Sequence, residues 1–261
     1  MLHYSKILDR KHRFDLEERN VVMAGKLFVV GVGPGSAEYL TDIAKHKIIK
    51  SHYIAGYSYT LSIIRHLLDP TWQRISEVTM DSQDDIYKNI FDRMEANEYC
   101  TIPFTGDVNF SESEVIDRLL EIFGKDNVEM IPGISSIQVA ASKSKVPLDK
   151  ASIFTFHITE DIEGRKEELL NAIRNKRSVI LLPRPWPKSK ERQFMESDIA
   201  LFLRNNKMQT DNLDVWVFEF LTMRNERIFR GKVSELEERH FDALSVMVID
   251  QVKRRTYLDY S

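Results

Sequence analysis

The chain has a single cysteine, Cys100, among 261 residues. One thiol cannot close an internal disulfide, so a disulfide framework is excluded, as is a metal site built on several cysteines. Its place inside the apolar stretch YCTIPF (99–104) predicts a buried small hydrophobe. The seven histidines lack HExxH or comparable ligand spacing, and no metal site is expected. No apolar run approaches the roughly 18 residues that a membrane span requires. The opening residues, MLHYSKILDRKHRFDLEERN, are charged and lack the apolar centre of a signal peptide. These absences predict a cytoplasmic protein without a membrane partner. An excess of one charge is missing too. Against 40 Asp and Glu stand 37 Lys and Arg, a formal net charge of −3, so no global basic field argues for nucleic acid. Repeats and low-complexity tracts are also absent.

What is present is the profile of a soluble globular protein, 43% hydrophobic and 30% charged. Residues 1–22 are weakly periodic and precede the first strand, so they read as an N-terminal extension, a loosely docked arm. KLFVVG (26–31) then reads as a buried parallel strand. Ser36 is placed as the N-cap of a helix with Leu40, Ile43, Ala44 and Ile48 on one face. HYIAG (52–56) predicts a strand, TLSIIRHLL (60–68) a helix, and Ile86, Ile90 and Met94 an amphipathic helix. YCTIPF is the next strand. Ser111 and Glu114 form an S-x-x-E capping-box signature ahead of a helix carrying Val115, Leu119 and Phe123 on one face. VEMIPG (128–133) is another strand-to-turn unit, and SSIQVAAS (135–142) starts a helix. This alternation predicts a mostly parallel sheet covered on both faces, an N-terminal α/β domain over 23–146.

KVPLDK (145–150) breaks the pattern and marks a domain boundary. Beyond it, residues 150–261 form a second α/β domain. Its strand candidates are ASIFTFHI, SVILL, LDVWVFEF and ALSVMVID, and NERIFRGKVSEL (225–236) adds a strand and a short helix. Hairpin-like and crossover connections alternate there, so this sheet is predicted to be mixed.

The chemistry sits in the loops. GVGPG (31–35) is not the dinucleotide fingerprint, because Gly35 comes too early for the third glycine and Pro34 removes a donor from the turn. The second strand ends YIAGY with no acid for a ribose, and GK[ST] is absent. The glycines instead permit a tight strand-to-helix turn and close approach of an uncharged ligand or another loop. TGDVNFS (105–111) and PGISS (132–136) follow other strands of the same sheet. Ligands of open parallel sheets bind at the carboxyl ends of the strands, so three glycine loops on that edge would frame a crevice. Their backbone groups could bind adenine, ribose and an amino-acid moiety without a phosphate site. Asp107 could accept from an ammonium or hydroxyl, and Ser135 and Ser136 could bind a carboxylate or cap the helix. Each loop alone would serve equally as a tight turn.

VGVGPGSAEYLTDIA, FTGDVNF and VEMIPGISSIQVAASKSKVPLD occur together in an order and spacing that resemble the tetrapyrrole (corrin/porphyrin) methyltransferase family. GKVSEL and LSVMVID fit its C-terminal end, so the likeness spans about residues 25–250. It looks closest to the C5-methylating branch of the cobalamin pathway, the precorrin-6Y methylase and cobalt-precorrin-7 C5-methyltransferase type. The resemblance implies two α/β domains with the active site in the cleft between them, S-adenosylmethionine (SAM) folded in that cleft as methyl donor, a tetrapyrrole substrate and a homodimer. It brings in a C15-methylating decarboxylase as a candidate partner. By position it implies that Pro34 flanks the donor and that Gly106, Asp107, Val108 and Phe110 contact its methionine part. Ser135 and Ser136 match the donor-binding pair after the PG turn. Leu182, Phe218, Glu219, Leu244 and Ser245 fall where the family lines the adenine side. The chain departs from the branch at GDVNFS, AGYSYT (55–60) and the proline-heavy LLPRPWP (181–187), all on the presumed substrate side.

The implied reaction is direct transfer of a methyl group from a sulfonium to an electron-rich ring carbon. The protein's task is then positioning and exclusion of water. No nucleophile is required, in keeping with the absence of a Ser/His/Asp or Cys/His constellation, and no catalytic residue is singled out. A corrinoid carries many carboxylates, which makes Arg184 the candidate cation of the substrate cleft, with a surface salt bridge as its alternative. His157 is a candidate proton handler or a packed strand histidine. Tyr57 and Trp186 either stack on a macrocycle or pack in the core. Two other functions stay open at this level: a transferase of the same fold acting on another tetrapyrrole carbon or a non-tetrapyrrole substrate, and a diverged, non-catalytic SAM-binding module.

Overall fold

A computed structural model describes residues 25–186 and 189–253. The extension expected over 1–22, the outer ends of both expected domains and Pro187 lie outside the described residues.

The first sheet is built from β1 (Lys26–Gly31), β2 (Tyr53–Gly56), β3 (Arg74–Glu77), β4 (Tyr99–Phe104) and β5 (Val128–Ile131). Its order is β3-β2-β4-β1-β5, and every pairing is parallel. Alternation along β1 separates two faces. Leu27 and Val29 join Cys100 and Ile102 against Tyr87 and Ile90 of α3 (Gln83–Arg93) and Leu119 and Phe123 of α4 (Ser113–Phe123). Phe28 and Val30 face Ala44 and Ile48 of α1 (Asp42–Lys50) and Ile63 and Ile64 of α2 (Ser58–Ile64). Burial on both faces explains the near-continuous apolar runs of these strands. Cys100 is free and buried, and desolvation pushes its thiol up.

Several local expectations are corrected. Ser36 caps only a short 3-10 turn over Ala37–Tyr39, whereas α1 is capped by Thr41, whose hydroxyl accepts from the Ala44 amide. Ile43 leaves the buried face and is 51% exposed. The helix expected over 60–68 is α2 followed by a 3-10 turn at Arg65–Leu67. Tyr87 joins Ile90 on the buried face of α3, and Ile86 packs at its margin, partly buried. β3 has no apolar signature, because RISE is an edge strand whose residues stay largely exposed. The capping box at Ser111 and Glu114 does not form. Glu112 holds the N-cap of α4 without a side-chain cap bond, and Ser111 sits at φ +79°.

The second sheet contains β6 (Ala151–Thr155), β7 (Ser178–Leu182), β8 (Asp214–Glu219), β9 (Arg227–Lys232) and β10 (Ser245–Asp250), in the order β6-β7-β10-β8-β9. β6 and β7 run parallel and the other pairings are antiparallel, so the sheet is mixed as expected. One face carries α6 (Glu163–Arg174) and α7 (Glu196–Asn205), through Leu169, Leu170, Ile173, Ile199 and Leu203. The other is covered by α5 (Ser136–Ser144), whose Ile137, Ala140 and Ala141 pack with Ile180, Phe218, Val246 and Val248. α5 follows β5 in the chain yet packs on the second sheet. Its N-terminus therefore starts at the margin of the first sheet while its body packs on the second.

Candidate active site

The loops after β1, β4 and β5 meet at the carboxyl edge of the first sheet. The Gly33 amide donates to the Gly106 carbonyl at 3.2 Å, and the Gly106 amide donates to the Gly33 carbonyl at 2.7 Å. Gly33 and Gly106 have φ of +82° and +77°, which favour glycine. A Cβ on Gly31 would stand 2.6 Å from the Gly133 nitrogen, and one on Gly133 would stand 2.4 Å from the Gly106 oxygen. The glycines thus let three backbones pack directly on one another. Asp107 fastens the assembly: its Oδ2 accepts from the Gly133 amide at 2.8 Å and its Oδ1 from the Asn109 amide at 2.9 Å.

The facing wall comes from the second sheet. His157–Thr159 after β6, Leu182 and Pro183 at the end of β7, Phe220 and Leu221 after β8, and Ala243–Val246 at the start of β10 enclose, with the three loops, a cavity of about 420 Å³. That is the size of a small-molecule site. Phe220 and Thr222 sit at φ +50° and +71°, a region that side chains seldom adopt and that tends to mark functional segments. Thr222 is held there from both sides. Its Oγ1 accepts from the Ser36 amide at 2.9 Å, and its own amide donates to Glu226 at 2.6 Å. Two further ties close the other end of the cleft. Ser111 Oγ pairs with Thr155 Oγ1 at 2.8 Å, and Glu114 accepts from the Thr159 amide and hydroxyl at 2.9 and 2.8 Å.

Of the residues singled out from sequence, Pro34, Gly106, Asp107, Phe110, Ser135, Ser136, Leu182, Leu244 and Ser245 line this cavity, as do Tyr57, His157 and Trp186. Ser135 caps α5: its Oγ accepts from the Ile137 amide, while Gln138 reaches back to the Ser135 amide at 2.9 Å. Asp107 spends its carboxylate on the two loop amides, leaving about one lone pair per oxygen for anything else.

Four residues do not line the cavity. Val108 is fully buried in the core beneath the loop. Phe218 is fully buried against α5, because alternation along β8 turns it there. Glu219 is tied to Arg227 at 2.8 Å and accepts from the Asp242 amide. Arg184 is 4% exposed and belongs to a separate depression with Asp161, Glu163 and Glu191. Its Nη2 donates to the Thr159 carbonyl at 3.2 Å, and its guanidinium lies 4.7 Å from the Trp186 ring. It backs a cleft residue and is not a cleft cation itself.

Sequence reading missed Tyr59, Met80, Glu112 and Arg118 as lining residues, and assigned Glu114 to a cap. Only the S-x-x-E spacing drew attention to that stretch. The lining carries three carboxyl groups, Asp107, Glu112 and Glu114, and one guanidinium, Arg118, paired with Asp84 at 3.5 Å. Burial pushes Glu112 up to about 7. Glu114 is held low: burial opposes this, but the hydrogen bonds from Thr159 prevail. Desolvation lowers His157, and the Glu114 charge offsets part of the effect. Burial, then the Glu112 charge, raises Tyr57, whose hydroxyl donates to Gln83 at 2.9 Å.

One feature suits a polar, uncharged-edged ligand such as a nucleoside. A Cβ on Gly106 would meet only the Ser136 nitrogen, at 3.8 Å, so this glycine leaves room on the cavity side. Ser245 lines the wall, with its hydroxyl beside the buried Glu196 carboxyl. Among the described residues no cluster of three or more His, Cys, Asp or Glu could hold a metal, and no helix is long and apolar enough to cross a membrane.

Comparison with known proteins agrees with this architecture. The model of the tetrapyrrole (corrin/porphyrin) methylases matches residues 26–237. A probable cobalt-precorrin-7 C(5)-methyltransferase of Methanocaldococcus jannaschii is 32% identical over 233 residues, 86% of this chain and 97% of that protein. The crystal structure of the methyltransferase CobJ superposes with a TM-score of 0.70 at 15% identity, covering 89% of this chain and 97% of the other. A uroporphyrin-III C-methyl transferase of Thermus thermophilus, complexed with S-adenosyl homocysteine, gives a TM-score of 0.62 at 17% identity over 86% and 92% of the two chains.

Proposed function

The chain belongs to the tetrapyrrole (corrin/porphyrin) methylase family and is a methyltransferase, and from that premise we propose that it transfers a methyl group from SAM to C5 of cobalt-precorrin-7. The observation that carries this reading is the cleft. Three interlocked loops offer backbone groups rather than a phosphate cradle, and the second sheet supplies a largely apolar wall. Likeness to a probable C5-methyltransferase along 97% of its length supports the choice of ring carbon.

In this reading the donor supplies an electrophilic methyl group. Pro34, Gly106 and the Ser135–Ser136 turn hold its amino-acid end, and Leu182, Leu244 and Ser245 its nucleoside. Val108, Phe218 and Glu219 support that pocket from behind, and Asp107 acts by locking two loops in register. Tyr57, His157 and Trp186 border the space left for the macrocycle, with Arg184 and Arg192 stacked on Trp186 at 4.7 and 4.2 Å. Of the two, the exposed Arg192 brings positive charge to the rim that a polycarboxylate would meet, while the buried Arg184 supports Trp186 from behind. The reading includes a homodimer in the cytoplasm and a C15-methylating decarboxylase acting beside it; gel filtration and co-purification check these.

The test is turnover. Purified protein, SAM and cobalt-precorrin-7 should yield S-adenosylhomocysteine and a corrinoid heavier by one methylene, with the new methyl at C5 by NMR. Turnover with another tetrapyrrole alone would move the reaction to a different carbon.

A further inference from the structure

Methyl transfer from a sulfonium to a ring carbon that carries hydrogen releases one proton, and a destination for it follows from how the cleft carboxyl groups are employed. Asp107 has both oxygens on loop amides, and Glu114 has both on Thr159. Glu112 lines the same cavity, and its side chain has no hydrogen bond or ion pair within the described residues. It follows Ser111, whose φ of +79° breaks the backbone just before α4, and it caps nothing in the helix it precedes. A carboxyl group placed in a ligand cavity with no structural duty is free for chemistry.

Resting on the reading above, we propose that Glu112 is the proton acceptor of the methyl transfer. The π electrons of the ring carbon form the new C–C bond to the methyl group. The C–S bond breaks with its pair on sulfur, so the sulfonium becomes a thioether. The ring is left cationic. Its C–H bond at the methylated carbon then breaks, the pair returns to the π system and the proton passes to the Glu112 carboxylate, which releases it to water through the cleft mouth.

The surroundings fit an acceptor. Tyr57, ahead of α2, and Tyr87, on α3, both feel the Glu112 charge, and the buried Tyr87 hydroxyl has no hydrogen-bond partner. Arg118 lies nearly two turns further along α4 and shares its charge with Asp84 of α3. Glu114 and His157 complete the titratable lining on that side. Burial by these apolar and phenolic neighbours pushes Glu112 up to about 7, where a carboxylate is an effective base at neutral pH. His157 is the other candidate, but desolvation lowers its pKa and weakens it as a base.

The test is the single-turnover methylation rate between pH 5 and 9, with cobalt-precorrin-7 or whichever tetrapyrrole the wild type methylates. The wild-type rate should rise through an ionisation near 7. Glu112→Gln, isosteric with the protonated acid, should lower the rate about 100-fold and remove that limb, with SAM affinity by calorimetry within twofold of wild type. Glu112→Asp should retain the limb and recover most of the rate. A Glu112→Gln rate within threefold of wild type, or an intact limb that disappears in His157→Gln, overturns the assignment. Wild-type activity on a different tetrapyrrole refutes C5 methylation of cobalt-precorrin-7 while still testing Glu112. A wild type that methylates no tetrapyrrole overturns both.

Discussion

Glu114, on the first helical turn after the β4 loop, reaches across the cleft to Thr159: one carboxylate oxygen accepts from the Thr159 amide at 2.9 Å and the other from its hydroxyl at 2.8 Å. With the Ser111–Thr155 pair it fastens the loop of one sheet to the strand end of the other. The contact is solvent-exposed, so its worth is closer to 1 kcal/mol than to that of a buried charged hydrogen bond. Glu114→Ala should lower the melting temperature by about 2–4 °C and weaken SAM binding, as read by calorimetry and thermal denaturation. An unchanged affinity would mean that this latch does not shape the site.

Gly133 is predicted to be far less tolerant than Gly164. A Cβ at 133 would lie 2.4 Å from the Gly106 oxygen, a contact with backbone that cannot swing aside, while a Cβ at Gly164 meets nothing within 4 Å. Gly133→Ala should abolish SAM binding or leave the protein largely insoluble. Gly164→Ala, in α6, should stabilise by up to about 1 kcal/mol in urea denaturation.

Glu196 makes stability depend on pH. It is fully buried, and burial pushes it up to about 7, a rise that the neighbouring Ser245 hydroxyl offsets only in part. The folded protein then holds a proton that the unfolded chain releases near 4.5, so this residue destabilises the fold progressively as pH rises from 4.5 to 7 and by a constant amount above that. The span corresponds to roughly 3 kcal/mol. Glu196→Gln should remove that part of the slope in denaturant titrations at pH 5, 6, 7 and 8, and be more stable than wild type at pH 8. Parallel slopes for the two proteins would refute the assignment.

Trp186 lines the cleft while two guanidiniums stack on it. Trp186→Ala should raise KM for the tetrapyrrole several-fold and leave SAM affinity unchanged. A fall in SAM affinity without an effect on the acceptor would place Trp186 on the donor side.

The first sheet was legible because burial on both faces leaves continuous apolar runs such as KLFVVG and YCTIPF, and the carboxyl-edge loops were legible through their glycines. RISE was not, since an edge strand needs only one hydrogen-bonded neighbour and little burial. The Ser111–Glu114 spacing suits a capping box, but the left-handed backbone at Ser111 turns both side chains to the other sheet, a partner no local pattern reveals. Along β8 the lining falls on Phe220 and Leu221, beyond the strand, and not on Phe218 and Glu219; register at a strand end is set by packing of α5. Arg184 looked like a cleft cation because it follows a strand, yet its pairing with Phe194 carries it behind Trp186. Glu112 belongs to no motif, and only the enclosure around it distinguishes it.

The claim on which the account depends is that the methyl donor occupies the gap between the two sheets. A crystal structure with S-adenosylhomocysteine measures this most directly. The account predicts density against Pro34, Gly106 and the Ser135–Ser136 turn, with the nucleoside reaching Leu244 and Ser245. Density elsewhere, or a gap filled by the protein's own side chains at saturating ligand, would contradict it.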